Sequence, residues 1–275
     1  PLLSVPGTIF SASWYRDYGA LWNAREQLVT VDVVKELERG DVEAAAQFEA
    51  LGSAVSLSEA VQQLGPRFRV VVAQQPHPPY DVELRNLLPA AAVAVELKDE
   101  ASFREIAEPL TRVVHLILSF EQKITSQTLN SHGAVLHQLS QPHTPRDVAR
   151  RDLVAYNFRP THTITRGHFI LGTTPQIVEQ VIVALDNQAE ATAEPTSGLT
   201  SEQFVDVAAL AGALDRARDA IVRQSVLDGG ADIATAGHEL DVLLSILRLL
   251  ESKTVRAVFT EDGFEVRTDV TRHLP

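Results

Sequence analysis

Two pairs of short runs rich in β-branched and small apolar residues, each pair followed by a helix cap, constrain this chain more than any other feature. Arg67 to Gln75 (RFRVVVAQQ) and Ala90 to Lys98 (AAAVAVELK) flank a Pro-rich connection and lead into Asp99, and an apolar three-and-four spacing from Phe103 to Ile117 follows. Thr161 to Thr165 and His168 to Leu171 flank Arg166-Gly167 and lead into Thr174-Pro175, an N-cap with proline at the first helical position, before Ile177, Val181 and Leu185. Hairpin then capped helix therefore occurs twice. Clustered rather than alternating elements predict an α+β class: antiparallel sheet, helices packed on one face, and two hairpin-plus-helix units. The 275 residues are nearly twice the soft prior of about 150 per domain, so the same pattern suggests lobes at 1–140 and 141–275, packed as one body.

Other segments extend the pattern. Thr8 to Tyr15 reads as a strand, and Asp17 can cap a helical stretch through Arg39 that ends at Gly40, with Asp41 opening another over Val42 to Leu51. Ser56 and Glu59 have capping-box spacing, and Pro109 should kink or interrupt the helix after Asp99. Leu153 to Phe158 reads as a strand, residues 186–200 as a linker, and Ser201 to Leu227 and Ala234 to Leu250 as amphipathic helices. Val255 to Val270 alternates across Glu261-Asp262-Gly263, the strongest hairpin signal present, with Gly263 suited to a positive φ.

The strand with Trp14-Tyr15, the helix with Leu21-Trp22, the LGPRFRVVVAQQ segment from Leu64, the AVAVELKDEASF and HFILGTTPQIVEQVI junctions and the TEDGFEVRTDV hairpin together resemble a bacterial family of uncharacterised proteins known only as a domain of unknown function. The resemblance is one of pattern and includes no catalytic signature. It implies an extracytoplasmic or envelope-associated body.

Chemistry-bearing motifs are few. The chain lacks G-x-G-x-x-G after a strand, a P-loop, a G-x-S-x-G elbow and H-E-x-x-H; His238-Glu239 begins the last, but Val242 stands where the second histidine belongs. With no cysteine, thiolate catalysis and disulfides are excluded, and no cofactor or metal is expected. A net charge of -12 argues against nucleic acid, and no apolar run is long enough to span a bilayer. Five of the nine histidines, His132, His137, His143, His162 and His168, fall within 131–168, where five arginines face two aspartates. Arg146, Arg150, Arg151, His162 and His168 form the candidate patch for an anion or acidic partner, strengthening as histidine protonates. The competing expectation pairs those arginines with Glu179, Asp186 or Glu190. Trp14, Tyr15, Tyr18 and Trp22 suit core packing, with an aromatic groove as the other use.

These features lead to a non-enzymatic extracytoplasmic interaction or structural domain with a protein or small-molecule partner. The alternative is a binding protein for a small apolar or amphipathic ligand in a sheet-helix cavity. A contiguous apolar pocket of several hundred cubic ångströms would favour the alternative, and a filled sheet-helix interface the former.

Overall fold

Among the described residues every strand pairing is antiparallel, and all of them join into one ten-stranded sheet. The structure, a computed structural model, describes residues 1–50, 56–84, 86–148, 153–190, 199–230, 232–260 and 263–272. The first part of the chain supplies β1 (Thr8–Tyr15), α1 (Tyr18–Asn23), α2 (Arg25–Leu28), α3 (Val31–Ala50), α4 (Leu57–Gln63), β2 (Leu64–Ala73), β3 (Ala90–Leu97) and α5 (Glu100–Gln122). Next come β4 (Thr125–Ser131), β5 (Ala134–Ser140), α6 (Pro145–Val148), a 3-10 turn at Leu153–Asn157, β6 (Thr161–Thr165), β7 (His168–Gly172) and α7 (Pro175–Glu190). The last part supplies β8 (Leu199–Asp206), α8 (Val207–Arg216), α9 (Arg218–Gly229), α10 (Ile233–Leu247), β9 (Leu250–Thr260) and β10 (Gly263–Arg272). Spatially the order is β10-β9-β8-β1-β2-β3-β7-β6-β5-β4. The chain is α+β, as its clustered pattern predicts. The halves 1–140 and 141–275 share this sheet, because β1 pairs with β8 and β3 with β7.

The hydrophobic effect fixes which side of each strand is covered. Val71 and Ala73 of β2, Ala92 and Ala94 of β3, Leu136 of β5 and Ile170 of β7 form one core with Ile177, Val178, Val181, Ile182 and Leu185 of α7. Strand period two assigns the intervening residues to the opposite face, where Phe103 of α5 meets Phe169 of β7 with ring centroids 5.7 Å apart. Helices therefore occupy both faces. α7 covers the face that carries Ile170, and α5 lies on the face that carries Phe169, where Val93 and Leu171 remain exposed, so the helices are not confined to the one face the pattern suggests. Both predicted units form: Asp99 accepts from the amides of Ala101 and Ser102 at the start of α5, and Thr174 from that of Ile177 in α7. Among the described residues no helix is long and apolar enough to cross a membrane.

Four local readings are corrected. Gly40 and Asp41 lie inside α3, and Asp41, instead of capping a new helix, accepts from the Ser58 amide and hydroxyl. Leu153–Asn157 is a 3-10 turn. Leu199–Asp206 is a strand, and helix begins only after Asp206 caps it. β4 and β5 form a hairpin at His132-Gly133, both at positive φ, which the polar TSQTLNS sequence hides.

The middle of the sheet is a topological two-fold. On either side of the β1–β8 seam the chain runs central strand, Asp-capped helix, further helices, second strand, outer strand, giving β1, β2, β3 on one side and β8, β9, β10 on the other.

Candidate functional site

The groove in the first of these two units is built from β1 outward. Asp17 leaves the strand in extended conformation and accepts from the Ala20 amide at 2.9 Å, while Lys98 holds the same carboxylate at 3.2 Å. Those bonds hold the Asp17 carboxyl below its usual range, the Ala20 contact being the largest cause. The cap sets α1 so that Tyr18, Leu21 and Trp22, spaced three and four apart, share one side. Opposite them, Phe68 of β2 stacks on Trp14 at 5.8 Å and receives the edge of Tyr18 at 4.8 Å. The capping box of Ser56 and Glu59 starts α4, which brings up Val61 and leads directly into Leu64. Leu28, Val29 and Leu37 complete the lining of a cavity of about 500 Å³.

Three lining residues carry polar groups, Trp22 through its indole N–H. Tyr18 has its phenol. Arg25 donates to the Trp22 carbonyl and to Glu38, each at 3.0 Å, and its guanidinium lies 5.2 Å from the Trp22 ring centroid. Its Nε is buried and lacks a partner. The corresponding place in the second unit is closed. Five residues beyond its capping aspartate, α8 carries Ala211 where α1 carries Trp22, and Ala211 packs with Leu240 and Leu244 of α10, backed by Leu214, Ile221, Val222 and Leu247. The helix entering the second strand has 15 residues there and seven in the first unit, so α4 leaves uncovered what α10 fills.

The histidines divide between the two faces. His137 and His162, opposite one another on β5 and β6, stack with centroids 5.1 Å apart, and His115 of α5 lies 5.8 Å from His162. Burial, then the neighbouring His137 and His115, push the His162 imidazole down to about 4. His115 is also lowered, chiefly by burial, and its Nδ1 meets the Ser126 hydroxyl at 2.9 Å. Arg104, Arg112 and Glu108 edge the same 220 Å³ hollow. His168 lies on the α7 side, with Nδ1 on the Arg166 carbonyl at 2.7 Å, Nε2 buried without a partner, and a pKa lowered by burial. Thus His162 and His168, next to each other in the sequence-derived patch, do not share a surface. Arg146 is exposed on α6, and Arg150 and Arg151 lie outside the described residues. Arg166, an arginine outside that patch, holds Asp186 through two bonds of 2.9 and 3.1 Å. Among the described residues no three His, Asp or Glu side chains are placed to hold a metal ion.

Sequence reasoning identified Tyr18 and Trp22 but expected them in a core. It missed Leu28, Val29, Leu37, Val61, Leu64 and Phe68, which come together only in three dimensions. A usable signal was present in the density of apolar side chains over 21–37, too high for solvated helices alone. No family model matches the chain, and no curated protein or solved structure matches it.

Proposed function

We propose that this chain is a non-enzymatic binding protein for a small amphipathic molecule, whose hydrocarbon part fills the groove between α1, α4 and β2 and whose polar end lies at Arg25. The observation carrying this reading is a contiguous, almost wholly apolar cavity of about 500 Å³ in one unit, at a place the related second unit fills with Ala211, Leu240 and Leu244. Ligand sites are typically pockets of about 300–1,000 Å³ with a few fixed polar groups, and this groove has that character. Filled interfaces under α7 and within α8 to α10 show that the fold does not require the opening.

Burying a methylene is worth about 0.8 kcal/mol, so affinity across octanoate, decanoate and dodecanoate should tighten by roughly fourfold per methylene until the groove is full. Isothermal titration of the purified chain tests this. Val61→Arg, which places a charge in the lining, should weaken the longest ligand most. Affinities independent of chain length, or unaffected by Val61→Arg, would contradict the reading.

A further inference from the structure

We infer that the outer edge of β10 is an interface for a second copy of this chain, pairing β10 with β10 antiparallel about a two-fold axis through Thr268. This goes beyond the groove and does not rest on it. In the topological two-fold, β3 and β10 are equivalent outer strands; β7 closes the outer edge of β3, whereas among the described residues β10 ends the sheet. β10 is exposed at all ten positions and lacks lysine and proline, although Glu265, Arg267, Asp269 and Arg272 place charge along it.

The edge is also complementary to itself. Phe264, Val266 and Val270 share one face, continuous with Phe259 and Ala257 of β9, and Glu265, Arg267 and Asp269 share the other. In an antiparallel pair, residues directly opposite lie on the same face, so only in-phase registers keep apolar with apolar. A two-fold through Thr268 sets Arg267 against Asp269 of the second copy, and Asp269 against its Arg267. On the other face it sets Val266 against Val270 twice. A two-fold through Arg267 would instead oppose Arg267 to itself and Glu265 to Asp269, with like charges adjacent. Phe264, 59% exposed, and Phe259, 62% exposed, would then contribute to a longer apolar strip shared by the two hairpins.

Sedimentation velocity over a concentration series tests the inference, with the expected particle twice the 30.1 kDa of the chain. Arg267→Asp and Asp269→Arg should each weaken dimerisation at least tenfold, and the double substitution should restore it, with melting curves verifying that each variant is folded. Because the chain contains no cysteine, Thr268→Cys gives a register probe: it should form an intermolecular disulfide on mild oxidation, and Val266→Cys should do so far more slowly. A monomer at every concentration, assemblies beyond the dimer, or preferential cross-linking through Val266→Cys would overturn it.

Discussion

Asp17 and Asp206 hold matching places on the two sides of the β1–β8 seam: each stands where a central strand gives way to helix and caps that helix by accepting from the amide three residues on, Ala20 at 2.9 Å and Ala209 at 2.7 Å. The two units thus start identically and diverge one turn later, at Trp22 and Ala211. Loss of an N-cap typically costs about 1 kcal/mol, so Asp17→Ala and Asp206→Ala should each lower the urea midpoint by a similar amount. Their effects on binding should differ. Asp17→Ala releases the helix that presents Tyr18 and Trp22 and should weaken ligand, whereas Asp206→Ala should leave affinity unchanged.

Gly172 marks the closest approach of α7 to the sheet. A Cβ there would lie 2.6 Å from a Val178 methyl and 2.8 Å from an Ile177 methyl, both in the main core. Gly172→Ala should therefore destabilise by about 1–3 kcal/mol through overpacking, read as a lower melting temperature, with no loss in groove affinity. A neutral effect would show that α7 is less tightly seated.

The half-buried histidines His115, His162 and His168 should make the fold sensitive to acid. A neutral His162 with its pKa near 4, against about 6.5 unfolded, takes up a proton more readily when the chain unfolds. Its contribution is fully present above pH 6.5 and is lost as pH falls from there toward 4, by about 3 kcal/mol at most. Protonation of His115 and His168, both also lowered, acts in the same direction. His162→Leu should flatten the dependence of the denaturation midpoint between pH 6.5 and 4. An unchanged acid limb would place the acid sensitivity elsewhere.

The closing hairpin contains a second glycine requirement. Gly263 has φ +143°, although a Cβ there would meet nothing within 4 Å, so the penalty for replacement lies in the backbone. Gly263→Val should lower stability by about 1 kcal/mol or more, measured by thermal melting. Equal stability would mean that the turn accommodates a side chain by shifting its backbone.

Local features were the legible part of this fold. The capping residues Asp99, Thr174 and Ser56 act as their spacing predicts, because a cap depends on a few neighbouring residues. The Arg166-Gly167 turn forms with both residues at positive φ. β8 straddles the expected linker and helix, because LTSEQFVD, a strand covered only in part, offers no sharp alternation. β4 was missed because all but one of its residues are exposed, so neither face demands apolar side chains. The groove was least legible of all. Trp22, Val61 and Phe68 meet only once α4 has folded back over β2, and sequence periodicity marks a residue as apolar without saying whether a partner covers it.

If Trp22 lines a ligand site, its own fluorescence should report the groove's occupancy. The chain has two tryptophans, so Trp14→Phe leaves Trp22 as the sole emitter. Titration of that variant with dodecanoate should give a saturable blue shift at one ligand per chain, abolished by Val61→Arg. A linear, non-saturating response, or an identical response in the Val61→Arg background, would contradict a binding groove at this position.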